Sequence, residues 1–234
     1  MWWDGTPLDL YVGAAETWWC DGQTTLHRAA HENLKASLES VAPKLRAGQS
    51  RRPGVRVWLS GRLCRPFLLP AASASLSASE VSAVAREIAP GATGLDGPVR
   101  LWMAAPGREI AVALLEQLMT DLGPLHRSGW RVRSIRPLWS AMLNHVLAAD
   151  PACALVQLVD TETAVTLAGT AERYRHAAVS HLGDTAEARE PVLVRAQIAA
   201  AAEGDGSTRQ VVLQQSTVAK PLQLPFGHAM EVVQ

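Results

Sequence analysis

"ALVQLVDTETAVTLAGTAERYRHAAV", residues 154–179, alternates apolar and polar positions in short runs separated by polar breaks. A period of two marks a strand, so the stretch reads as three strands in succession. Leu155–Val159 comes first, and alternation resumes at Ala164–Leu167 after the break Asp160-Thr161-Glu162-Thr163. That break is a turn by composition. It is also a candidate site, because Asp160 and Glu162 give its tip an acidic character.

Working outward, helix and strand signals alternate. Before the meander stand a strand at Val99–Ala104, a helix from about Arg108 to Leu122, a strand at Arg131–Ile135 and a helix at Pro137–Ala148. Pro137 suits a first helical turn, where its missing N–H costs nothing. After the meander come a helix from about Ala188 to Ala202 and a last strand at Gln210–Leu213. Such alternation indicates mixed sheets flanked by helices, an α/β fold.

The first third begins with a hairpin, Leu8–Val12 and Glu16–Cys20, joined by Gly13-Ala14-Ala15. Thr24 or Thr25 is expected to cap a helix reaching Arg46, with Leu26, Ala30, Leu34, Leu38, Val41 and Leu45 on one stripe. A second hairpin is expected from Val55–Leu59 and Leu63–Leu69, turning at Ser60-Gly61. Ser77 and Glu80 have capping-box spacing and start a helix at Ala78 that stops near Ala89, before Pro90-Gly91. Gly91, Gly94 and Gly97 then form a connector, since a dinucleotide fingerprint needs its glycines between strand and helix.

Composition removes several classes. The 234 residues carry 22 basic and 22 acidic side chains, so nothing provides the broad positive field on which nucleic-acid affinity depends. Arg127, Arg131, Arg133 and Arg136 alternate along a strand and read as one solvated face. Cys20, Cys64 and Cys153 are far apart and form no Cys-x-x-Cys pair, so neither a disulfide framework nor a thiolate zinc site is expected, which fits a reducing cytoplasm. The N-terminus lacks a signal peptide's basic and apolar regions, and no apolar run reaches the roughly 18 residues of a membrane span. His27 and His31, four apart on the expected helix, lack the third ligand of a zinc site. The scattered His126, His145, His176, His181 and His228 have no nucleophile context.

Eight tryptophans against two tyrosines and two phenylalanines is unusual. Trp58, Trp102, Trp130 and Trp139 lie in apolar runs and read as core. Trp2, Trp3, Trp18 and Trp19 are candidate protein contacts, because adjacent residues of a strand point to opposite faces and exposed Trp favours interfaces.

The order "VRLWMAA", "EIAVALLEQLMTDL", "SGWRVRSIRPLWSAMLNHVL" and the quoted meander resembles the PilM-like pilus-assembly proteins and the cytoplasmic domain of the type II secretion L protein. "VRVWLSGRLCRPFLLP", residues 55–70, resembles the hairpin and proline exit near the start of the latter. The resemblance implies a two-lobed actin-like (ribonuclease H-like) fold, with residues 1–150 as the first lobe and 151–234 as a smaller second lobe ending in an extended arm at 216–234.

In that family each lobe's first hairpin tip holds phosphate, because small residues admit backbone N–H groups and a nearby Asp organises the metal. Gly13 keeps the pattern, but Tyr11 replaces the expected acid and Asp9 is displaced. Asp160 is kept, yet Glu162 stands at a glycine position, where its carboxylate would repel a triphosphate and obstruct the cradle. His181-Leu182-Gly183-Asp184 replaces the Gly-Gly pair of an adenosine pocket. If nucleotide binding is retained, Gly13, Asp160, Thr161 and Thr163 hold it and Asp160 carries magnesium. The departures favour a degenerate site with no cofactor.

The expected function is therefore a non-enzymatic cytoplasmic scaffold at the inner face of the inner membrane, in a type IV pilus or type II secretion assembly platform. Its expected partners are an inner-membrane assembly protein and an assembly ATPase, with a homodimer as a further expectation and membrane contact only through a partner. The alternative is an actin-like ATPase or sugar-kinase-like phosphotransferase that uses Asp160 with ATP and magnesium, helped by Asp9 or Glu16.

Overall fold

The computed structural model describes residues 7–20, 26–45, 54–70, 75–105, 110–170, 173–202, 208–215 and 227–233. Strand β1 (Leu8–Val12) is its centre of gravity: Leu10, Tyr11 and Val12 are all buried, so both faces of the strand are covered. It pairs antiparallel with β2 (Glu16–Cys20), which pairs antiparallel with β3 (Leu26–Ala30). The chain then forms α1 (Leu34–Lys44) and returns as β4 (Gly54–Leu59), parallel to β1.

The expected helix over 24–46 is thus a strand followed by a shorter helix. Asn33, not Thr24 or Thr25, caps α1 by accepting from Ala36 N at 3.1 Å, and residues 21–25 lie outside the described residues. The stripe of Leu34, Leu38, Val41 and Leu45 belongs to the helix, whereas Leu26 and Ala30 lie in β3. His27 and His31 consequently share no helix face: His27 lies in β3 and stacks on Trp19, with ring centroids 5.3 Å apart.

Ser60–Leu63 does turn, closed by Leu63 N to Ser60 O at 3.0 Å, but the strands on either side do not pair. β5 (Cys64–Leu68) instead joins a separate sheet with β6 (Val99–Ala105) and β7 (Ile110–Leu115) in the order β5-β7-β6. α2 (Ala78–Thr93) covers this sheet, placing Ala85 and Ala89 in a small core with Phe67, Leu69, Leu95, Ala111 and Ala113. The Ser77–Glu80 capping box is present. The helix continues through Pro90, because Ala89 and Thr93 are buried in its last turns, and ends at Gly94 in the left-handed conformation (φ 62°). β7 corrects the expected helix over 108–122. It is the central strand of its sheet, so both faces are buried and alternation is lost, a case that periodicity cannot resolve.

Short helices α3 (Gln117–Asp121) and α4 (Gly123–Arg127) lead to β8 (Arg131–Pro137), parallel to β4 at the sheet edge. Arg131, Arg133 and Arg136 are exposed there, as a solvated face requires. α5 (Leu138–Ala149) follows Pro137 and runs to the meander.

β9 (Leu155–Val159), β10 (Thr163–Gly169) and β11 (Tyr174–His181) form the expected three antiparallel strands. After α6 (Ala186–Ala201), β12 (Thr208–Gln215) lies parallel to β9. The first sheet has the order β3-β2-β1-β4-β8 and the second β11-β10-β9-β12-β13, so the same hairpin, third strand, helix and parallel return occur twice. The final strands differ: β8 is parallel to β4, whereas β13 (Gly227–Val233) is antiparallel to β12. Residues 227–233 of the expected arm are therefore strand, and 216–226 lie outside the described residues.

Every residue of β9 and β10 is buried. Val156, Leu158, Val165 and Leu167 join Leu10, Val57, Trp139 and Met142 in one core that spans both sheets. Buried Gln157 is the polar exception and is satisfied: its Nε2 donates to Leu193 O at 3.1 Å, and its Oε1 accepts from Gln197 and Gln210 at 3.3 and 2.6 Å.

Trp58, Trp130 and Trp139 are buried and Trp102 is partly so. Trp18 and Trp19, expected as contacts, are instead both core residues at 0% and 6% exposure, because β2, like its neighbour β1, is covered on both faces. Trp18 packs on Tyr11 and carries the Arg28 guanidinium over its ring. Trp2 and Trp3 lie outside the described residues.

Candidate functional site

Three turns meet where the two sheets abut: β1–β2, Ser60–Leu63 after β4, and β9–β10. In the first, Gly13 N donates to Glu16 O at 2.8 Å, which closes the hairpin and leaves the N–H groups of Ala14 and Ala15 directed outward. They meet Glu162. Ala14 N donates to Oε2 and Ala15 N to Oε1, each at 2.8 Å. A Cβ on Gly13 would stand 2.5 Å from Glu162 Oε1 and 3.0 Å from Glu16 O, so the absence of a side chain is what admits the carboxylate.

The β9–β10 turn is organised by Asp160, which is buried. Its Oδ1 accepts from the N–H groups of Glu162 at 2.8 Å and Thr163 at 2.7 Å, an Asx-type turn within its own hairpin. Its Oδ2 accepts from Gly61 N at 3.1 Å and so reaches the loop after β4. Burial pushes the Asp160 pKa up, while the N–H groups of Glu162, Gly61 and Thr163 pull it back by stabilising the carboxylate.

The remaining contacts fix the turn in place. Thr161 Oγ1 lies 3.2 Å from the Tyr11 hydroxyl, and Thr161 O accepts from Arg189 Nη2 at 3.1 Å. Leu182 N donates to Glu162 O at 2.8 Å. Burial and the Asp160 and Glu162 carboxylates hold the Tyr11 phenol well above its ordinary pKa, so Tyr11 serves as a neutral hydrogen-bonding group. His31 follows β3, and its N–H donates to Ala15 O at 2.7 Å. Burial lowers the His31 pKa, with Glu162 and Glu16 opposing the shift.

Gly13, Asp160, Thr161 and Thr163 are therefore brought together, but around a carboxylate and a set of backbone donors. The residues do not fit a magnesium triphosphate, because Glu162 lies in the cradle that Gly13 makes possible. Asp160 already accepts three N–H bonds within the protein. Asp9 is bound to Arg56 at 2.8 and 2.6 Å and to Trp58 Nε1 at 2.6 Å, and Glu16 pairs with Arg28 at 2.6 Å. Among the described residues no cluster of three His, Cys, Asp or Glu side chains is placed to hold a metal ion. At residues 181–184, Arg189 Nε donates to Gly183 O at 2.7 Å, and a Cβ on Gly183 would meet Ala188 at 2.6 Å.

Sequence reasoning missed Gly61, Arg189 and the role of Ala14 and Ala15. Two consecutive small residues after Gly13 were the available signal: a tight turn of that composition exposes N–H groups that must find an acceptor.

No protein-family model matches the sequence, and no curated protein matches it significantly. Solved structures do match. The PilM–PilN type IV pilus biogenesis complex contains a chain similar at 13% identity and TM-score 0.50, covering 82% of this chain and 68% of that one. The cytoplasmic domain of EpsL, an inner-membrane component of the Vibrio cholerae type II secretion system, is similar at 14% identity and TM-score 0.42, with 74% and 70% covered. A Bacteroides thetaiotaomicron protein of unknown function with an actin-like ATPase fold is similar at 7% identity and TM-score 0.54, with 90% and 82% covered. With its twice-used hairpin, helix and parallel return, this chain has the actin-like ATPase fold.

Proposed function

We propose that the chain is a non-enzymatic scaffold that docks a segment of an inner-membrane assembly protein in a type IV pilus or type II secretion platform. The observation that carries this reading is the Glu162 carboxylate within the cradle formed by Gly13, Ala14 and Ala15. A negative group there opposes a triphosphate by charge and by volume, so the fold is kept while its nucleotide chemistry is not. Two further observations support the reading. A chain of this fold is solved in a pilus biogenesis complex with a second protein. Among the described residues the sheets also end in edge strands such as β3 and β11, whose backbone groups can pair with an extended segment.

Titration calorimetry of the full chain with magnesium ATP is expected to give no binding, alongside complex formation with the cytoplasmic segment of a pilus or secretion inner-membrane protein encoded beside it. Micromolar ATP binding that disappears in Asp160→Ala would overturn the reading in favour of the ATPase.

A further inference from the structure

We propose that Glu162 is an internal ligand, a latch whose carboxylate occupies an oxyanion site formed by Ala14 N–H and Ala15 N–H and ties the β9–β10 turn to the β1–β2 turn. Each carboxylate oxygen takes one donor, at 2.8 Å in both cases, the length of a charge-assisted hydrogen bond. The latch is built on both sides. On the first lobe, the Gly13 N to Glu16 O bond shapes the turn so that the next two N–H groups converge, and a Cβ at Gly13 would collide with the carboxylate. Converging backbone N–H groups in a turn form an anion-binding concavity.

On the second lobe, the backbone of Glu162 is fixed at both ends. Its N–H donates to Asp160 Oδ1 at 2.8 Å and its carbonyl accepts from Leu182 N at 2.8 Å. Thr161 beside it is held by Tyr11 and Arg189. The side chain is thus aimed before contact, which limits the entropy lost in making it. Gly61 to Asp160 is a second bond across the same junction, so a small cluster of turn residues joins the lobes.

A site of this kind is selective by chemistry, not by identity. Removing the Glu162 carboxylate leaves two convergent donors able to take a small external oxyanion of the carboxylate or phosphate class in its place. The inference rests on the geometry of the turns and not on any partner, so it and the scaffold reading can fail separately.

Amide hydrogen exchange on the full chain tests it, comparing the native protein with Glu162→Ala and Glu162→Gln in chloride, acetate or inorganic phosphate at equal ionic strength. In the native protein Ala14 and Ala15 amides are expected to exchange about ten-fold more slowly than in Glu162→Ala, the scale of one lost hydrogen bond. The native rates should be the same in all three salts. Acetate or phosphate, but not chloride, should restore protection in Glu162→Ala, while unchanged amides in β1 and β2 certify the fold. Glu162→Gln, nearly isosteric, should lose protection at one of the two amides, since its NH2 group cannot accept. Equal exchange of Ala14 and Ala15 in native and Glu162→Ala proteins, or no recovery with either anion, overturns the latch. Full protection of both amides in Glu162→Gln does the same.

Discussion

The β1–β2 and β9–β10 turns hold the same place in two copies of one strand plan, yet their chemistry is opposite. The first is made of Gly13, Ala14 and Ala15, small residues that offer N–H groups and no side-chain acceptor. The second is made of Asp160, Thr161 and Glu162, with one carboxylate satisfied mostly inside its own hairpin and the other reaching across. A fold that repeats itself supplies two tips facing each other. What fills the space between them is set by side chains, and here one tip fills the other.

The largest effect is expected from removing the group that organises the second turn. Asp160→Ala leaves the N–H groups of Gly61, Glu162 and Thr163 without their acceptor, and should cost about 3 kcal/mol in a denaturant titration. A loss below about 1 kcal/mol would mean that relaxation or water replaces the carboxylate, and the turn is not organised as described.

A smaller effect separates the two tips from each other. Gly13→Ala should destabilise the native protein because its methyl group meets Glu162 Oε1, and should be much less harmful in a Glu162→Ala background. The coupling between the two substitutions, read from a double-mutant cycle, is expected at about 1 kcal/mol. Simple additivity would show that Gly13 is required by the backbone of its own turn and not by Glu162.

The smallest effect concerns pH. Burial lowers the His31 pKa below its ordinary 6.5, so the unfolded chain takes up the proton first. Stability contributed by neutral His31 is therefore complete above about pH 6.5 and is lost as pH falls through the lower folded value. Melting temperatures between pH 7.5 and 5.5 (about one unit either side of the ordinary value) should decline less steeply in His31→Gln than in the native protein. Parallel curves would remove His31 from the account.

The second tip was readable in the sequence because its strands alternate around an unmistakable polar break. The meander, the first hairpin, the Ser77 capping box and the acidic turn all follow from local rules. What failed was decided elsewhere in the molecule. Leu26–Ala30 has a helical stripe but becomes a strand because β2 offers an edge. Ile110–Leu115 lost its alternation by being central in a three-stranded sheet, and Cys64–Leu68 left β4 for a partner more than forty residues away. At the site, Glu162 was recognisable as an obstacle to phosphate, and Gly13 as a position needing no side chain. That they answer each other required the distance between them, which no single stretch of sequence contains.

The core shared by the two sheets has a mechanical consequence. Val156, Leu158, Val165 and Leu167 pack in the same apolar body as Leu10, Val57, Trp139 and Met142, so sliding one sheet away from the other would expose apolar surface to water. A densely packed interior resists compression and transmits displacement. A push or pull applied at β11 is then expected to reach the β1–β2 end through packed side chains and not to be taken up by parting of the two sheets.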